Sequence, residues 1–173
     1  MKFAPKILIV AATVVAALCS ASNSSAATNG LAAYEQLKSL VGHWQEAKTT
    51  EAQASMDIEL TANGNAVLER FHMIQAGKPV DMTTLYYLDG DQLQMTHYCM
   101  AGNQPTMRGT YVPESKTITF NFVRATNLKS PNDGHMHHAV YTFLDSDHFQ
   151  TRWTFQKDGK DAFTEDVTYV RTK

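Results

Sequence analysis

The sequence predicts an all-β domain: an antiparallel up-and-down barrel of about ten strands, preceded by one short N-terminal helix. Three observations predict it. Beyond Gly42 the hydrophobic period is 2 rather than 3.6, the alternation of strands with one buried face. Turn signals recur at Asn63-Gly64-Asn65, Ala76-Gly77-Lys78-Pro79, Asp89-Gly90-Asp91, Pro113-Glu114, Asp145-Ser146-Asp147 and Asp158-Gly159. Asn-Gly and Asp-Gly supply the positive φ angles that tight hairpins need. The runs between the turns are filled with Val, Ile, Thr, Tyr, Phe and Trp.

The elements are justified in order. Lys2 and Lys6 precede an apolar run from Ile7 to Leu18, followed by the small residues Ser24, Ser25, Ala26 and Ala27. That order is the signature of a secretory signal over residues 1–26. The run is about 12 residues, shorter than the roughly 20 that span a bilayer. Cys19 follows the large Leu18, which a lipobox does not favour, so cleavage near Ala26 is preferred to lipid anchoring. The expectation is an exported protein, periplasmic or secreted, whose mature chain, residues 27–173, is one domain without stable membrane insertion. Ser22 to Asn29 reads as a disordered leader. Leu31, Tyr34, Leu37, Leu40 and Val41 recur at helical spacing, and Gly42 ends that helix.

Strands are predicted at 43–49, 52–60, 66–75, 80–88, 92–100, 106–112, 117–124, 137–144, 148–156 and 162–171. So many strands in one small domain must hide their edges, and closure into a barrel does so; a β-sandwich is the alternative. The irregular stretch from Ala125 to Met136 is expected to be a loop over one mouth.

Composition excludes some functions. Without Lys2 and Lys6, 13 basic residues face 17 acidic ones, a poor balance for nucleic acid. Cys99 is the lone cysteine of the mature part, so no internal disulfide can form.

Alternation assigns faces. Leu93, Met95, His97 and Cys99 share one face; Ile118, Phe120 and Phe122 another; Phe149, Thr151, Trp153 and Phe155 a third. Of two options around residue 140, the set His137, Ala139, Tyr141 and Phe143 is preferred as inward. Met82, Tyr86 and Leu88 share a face. Glu69 and Arg70 lie on opposite faces, so one of them must point inward or lie at an edge. An interior of Met, Phe, Tyr and Trp with a few polar tips is how ligand pockets are lined, although the same residues also fill a solid core.

Leu37-x-x-Leu40-Val41-Gly42-x-Trp44, a short helix running into a Gly-x-Trp strand, resembles the opening of calycin-like barrels: lipocalins, fatty-acid-binding proteins and nitrobindin-like haem barrels. The segment Thr96-His97-Tyr98-Cys99, continued by Gly102-Asn103-Gln104-Pro105, is similar to a group of exported bacterial proteins of unassigned activity. Gly134-His135-Met136-His137 and Trp153-Thr154-Phe155 resemble that group too. The resemblance implies a lipocalin-like barrel open at one end, usually for an apolar ligand.

The expected function is therefore non-enzymatic binding of a small apolar molecule by Met82, Tyr86, Met95, His97, Cys99, Phe120, Tyr141 and Trp153. No catalytic residue and no cofactor is assigned. His97, His135 and His137 are the candidates if the site holds zinc, and a haem would need only one axial histidine, His97 or His137. The plainer reading leaves His135 in the loop, His138 in solvent, and His97 and His137 bonded within the wall. His97 and Cys99 at i and i+2 are too splayed to make an activated thiol. A metal- or haem-dependent enzyme or sensor is the second reading, and a filled-core interaction module the third. Asp89-Gly90-Asp91 is a hairpin, since Leu93 offers no oxygen at the fifth position of a calcium loop. Asn103-Gln104-Pro105 is expected to satisfy backbone groups at a rim; Arg108 and Arg124 are wall charges unless they turn inward.

Overall fold

A computed structural model describes residues 21–47 and 54–172. The expected signal segment up to Ser20, with Cys19, lies outside the described residues. Helix α1 (Ala21–Lys38) leads into ten strands: β1 (Gly42–Glu46), β2 (Ala54–Thr61), β3 (Ala66–Gln75), β4 (Lys78–Asp89), β5 (Gln92–Tyr98), β6 (Gln104–Val112), β7 (Thr117–Thr126), β8 (His135–Phe143), β9 (His148–Lys157) and β10 (Lys160–Thr172). Each strand pairs antiparallel with its neighbours in sequence, and β1 also pairs with β10. The sheet is a closed barrel, which removes every edge. No helix among the described residues is long and apolar enough to cross a membrane.

The helix is longer than the apolar spacing predicts. It includes the 22–29 stretch expected to be a disordered leader. That stretch contains no proline and two alanines, so its local preference permits helix, whereas large apolar residues mark only the part that docks. Ala33, Tyr34 and Leu37 are buried there, followed by Leu40 beyond the helix.

Helix α1 closes one end of the barrel, where β2–β3, β4–β5, β6–β7 and β8–β9 turn. Asn29 donates through Nδ2 to the Tyr111 carbonyl at 2.6 Å and accepts from the Tyr111 amide at 2.9 Å. The Tyr34 hydroxyl donates to the Gly64 carbonyl at 2.8 Å. Gly30 lies directly on the β4–β5 turn, and a Cβ there would overlap the Asp91 carbonyl oxygen.

The Gly-x-Trp motif locks the seam beside this plug. Gly42 has φ +140°, and a side chain there would collide with the Arg171 guanidinium. Arg171 instead donates to the Val41 and Ser39 carbonyls at 2.8 and 2.9 Å and to the Ser146 carbonyl at 3.0 Å. Its guanidinium also stacks 4.1 Å from the Trp44 ring centroid. Trp44, 1% exposed, donates its indole N–H to the Leu40 carbonyl at 2.7 Å. Above the plug, the lower barrel is filled by Leu93, Met95, Met107, Ile118, Phe120 and Phe149, all buried.

Gly30→Ala is expected to destabilise the fold by roughly 2 kcal/mol or more, because the backbone it meets cannot move aside and this outweighs the gain in helix propensity. Denaturant unfolding checks this; an unchanged midpoint would remove the role given to the close approach.

Candidate functional site

Alternation along β3 puts Val67, Glu69, Phe71 and Met73 on the inner face. Glu69 is the inward member of the Glu69–Arg70 pair, at 3% exposure, and Arg70 pairs outside with Glu59 at 2.8 Å. The structure thus places a carboxyl group inside an aromatic barrel. Sequence reasoning left it unassigned, although the parity of Val67 and Phe71 points to it.

Hydrogen bonds compensate Glu69. Its Oε2 accepts from the Tyr86 hydroxyl at 2.7 Å and the Tyr141 hydroxyl at 3.2 Å, and the two hydroxyls are 2.7 Å apart. Three oxygens in a ring make three contacts, but two phenols supply two protons. A proton on Glu69 completes the ring. Burial drives its pKa in the same direction, above the ordinary carboxyl value, against the pull of the Tyr86, Tyr141 and Thr84 hydroxyls. Burial, then the Glu69 charge, pushes both tyrosines well above the ordinary phenol value.

The network continues through Thr84. Its hydroxyl lies 3.5 Å from Glu69 Oε1 and 2.9 Å from His97 Nδ1. If Thr84 donates to Glu69, His97 Nδ1–H donates to Thr84, and His97 Nε2 is left as a bare lone pair. His97 is 4% exposed and Nε2 has no hydrogen-bond partner. Burial lowers the His97 pKa to about 4, so the ring is neutral. Its ring lies 4.9 Å from that of Trp153.

These groups border an inner cavity of about 40 Å³, lined among others by Met82, His97, Met136, Trp153, Glu69 and Glu165. By that measure it is room for a few waters, well short of a ligand-sized pocket. Above it, at the end opposite α1, opens a mouth of about 690 Å³ lined by Met73, Met82, Cys99, Met100, Met136 and Phe155, with Phe163 and Glu165 on the β10 side. Met82, Met136 and Glu165 line both spaces, so the mouth and the cavity adjoin.

The expected ligand residues separate by depth. Met82, His97 and Trp153 line the inner cavity, and Met82 and Cys99 line the mouth. Tyr86 and Tyr141 lie beneath as the partners of Glu69. Met95 and Phe120 line neither space and belong to the filled lower core.

His137, expected inward, lines neither the cavity nor the mouth. The β8–β9 register shifts between Met136 and His138, a β-bulge that puts one extra residue into β8. Ala139, Tyr141 and Phe143 face inward as expected, but above the bulge Met136 takes the cavity position. His137 stacks on Phe122 at 4.9 Å, beside His135. His135 is buried at the start of β8 rather than held in the loop; its Nδ1 bonds the Asp133 carbonyl at 2.9 Å. Burial, then the nearby His135, lowers the His137 pKa. Among the described residues, no three His, Cys, Asp or Glu side chains are placed to hold a metal ion.

Cys99 is a free, buried thiol whose pKa burial raises, the opposite of what a nucleophile needs. Asn103 donates to the Gly134 carbonyl at 2.8 Å and ties the β5–β6 connection to the long loop. Arg108 and Arg124 are exposed on the outer wall.

No family model and no curated protein matches the chain. Among solved structures it is similar to the crystal structure of Rv2717c from M. tuberculosis, with TM-score 0.54 and 14% identity, over 82% of this chain and 98% of that one. At that identity the likeness is one of fold.

Two pH effects of opposite sign are expected. As pH falls from about 6.5 to about 4, unfolded His97 takes up a proton and folded His97 does not, so stability drops by on the order of 3 kcal/mol. Denaturant midpoints at pH 7 and about pH 4.5 measure this; the acid loss should shrink in His97→Gln, and equal losses would sink the account. For Glu69 the folded pKa is raised, so stability is lost as pH rises from the unfolded value through the folded one. Glu69→Gln should therefore gain on the wild type at alkaline pH relative to acid pH, and a constant difference would show that Glu69 does not titrate in this way.

Proposed function

We propose that the protein binds a small, largely apolar molecule at the open end of its barrel, without chemical turnover. The observation that carries this reading is a methionine-lined mouth that adjoins a cavity lined by His97, whose Nε2 is unpartnered. A buried polar atom without a partner costs free energy, and a ligand that supplies the missing bond recovers it. The mouth is of ligand size; the cavity below receives only the tip of the ligand. Methionine side chains bend at little cost and suit a surface that re-packs around its occupant. His97, held through Thr84, orients the polar end.

One observation favours a second reading. A neutral imidazole fixed at Nδ1 and bare at Nε2 is how a protein prepares a metal ligand, so His97 suits the axial position of a haem or another metal cofactor. His137, facing Phe122, does not join it.

The test is binding of the neutral apolar dye phenylnaphthylamine, read by dye emission and by quenching of Trp153. Saturable binding in the micromolar range is expected. Met82→Trp, which narrows the space where mouth and cavity adjoin, should weaken it by about tenfold, on the order of 1.4 kcal/mol. Absence of saturable binding in a folded protein would leave the filled-core module, and a Soret band in the purified protein would favour the second reading.

A further inference from the structure

Among the described residues, the ionisable side chains facing this pocket, apart from neutral His97, are acidic. The polar side chains lining the inner cavity include Glu69, His97, Thr151, Glu165 and Tyr169, and those lining the mouth include Glu165 and Asp166. Among the described residues, no lysine or arginine lines either space. Asp166 is neutralised by Arg152, which holds it through two bonds of 2.7 and 3.2 Å on the outer wall. Glu165 differs: it shares the inner face of β10 with Val167 and Tyr169, lies opposite Trp153 in register, and has no ion-pair partner among the described residues. Glu69 is bonded by hydroxyls alone. His97, neutral and 4% exposed, lines the same cavity, and its Nε2 has no hydrogen-bond partner.

Aromatic faces surround these acceptors. Phe71, Trp153 and Tyr169 line the inner cavity with the thioethers of Met56, Met82 and Met136. Carboxylates, aromatic faces and a bare imidazole nitrogen are complementary to one kind of head group, a cation that can donate hydrogen bonds. The same lining repels the carboxylate of a fatty acid, which needs a cation at the pocket base.

We infer that the molecule selected is an apolar amine bound as its ammonium ion, with its charged head between Glu165 and the Glu69–His97 pair and its apolar body among the methionines of the mouth. This rests on the binding reading above and names the class of ligand. The ammonium pairs with the Glu165 carboxylate and donates to His97 Nε2, while the protonated Glu69 adds a hydrogen-bond acceptor beside it.

The experiment is displacement of phenylnaphthylamine by three compounds with the same chain: octylammonium, octanol and octanoate, at neutral pH and low salt. The expected order is octylammonium first, octanol second and octanoate last, with about tenfold or more between first and last. Glu165→Gln should bring the ammonium and the carboxylate within about threefold of each other while leaving octanol unchanged. Asp166→Asn, which changes a carboxylate already paired outside, should keep the order. Added salt should compress the order, because Glu165 is exposed. If the dye binds and all three compounds displace it equally, or octanoate leads, the ammonium inference is overturned and the binding reading stands. If neither the dye nor any of the three binds, both fall.

Discussion

Closure of the sheet between β1 and β10 is the constraint on which the rest depends. The seam has four residue pairs on each side of β1, the shortest strand of the barrel. It is reinforced where Arg171, on the last strand, reaches the carbonyls that follow α1 and lies on Trp44. One side chain thereby joins the end of the chain to its beginning. Once the sheet is closed, every second residue must point into a shared interior, and what those residues are decides whether that interior is core or pocket.

The two halves resolve that choice differently. At the helical end large apolar side chains meet in close packing: Phe149 stands edge-on to Trp44 at 4.7 Å and Tyr141 edge-on to Phe120 at 5.7 Å. Toward the mouth, Phe71 and Trp153 are joined by Glu69, His97, Met82, Met136 and Glu165, which leave space unfilled and do not satisfy one another completely. Burying polar groups that are not fully paired is costly, and groups with perturbed pKa values cluster at functional sites.

Much of this was legible in the sequence because it is local. Strands alternate, turns carry Gly, Asn and Asp, and those signals placed all ten strands. The face assignments of His97, Phe120, Tyr141 and Trp153 needed only parity. Glu69 was legible in part: one of Glu69 and Arg70 had to turn inward, and Val67 and Phe71 indicate which. The bulge at His137 was not legible, since it arises from how β8 meets β9 and leaves no mark in composition. The first helical turns were missed because spacing detects docked residues, not helix as such. The volume left inside is not a local property either; it depends on how side chains from opposite walls meet, so a wide barrel can retain only about 40 Å³ at its centre.

The plug formed by α1 has a kinetic consequence. A barrel blind at one end has a single doorway, so an occupant leaves by the path it took inward, and a newcomer cannot push it out from behind. Exchange of one guest for another is then paced by the departure of the first and not by the abundance of the second. Under the proposed binding, such a container suits holding and delivering rather than continuous flow, with release through the methionine rim.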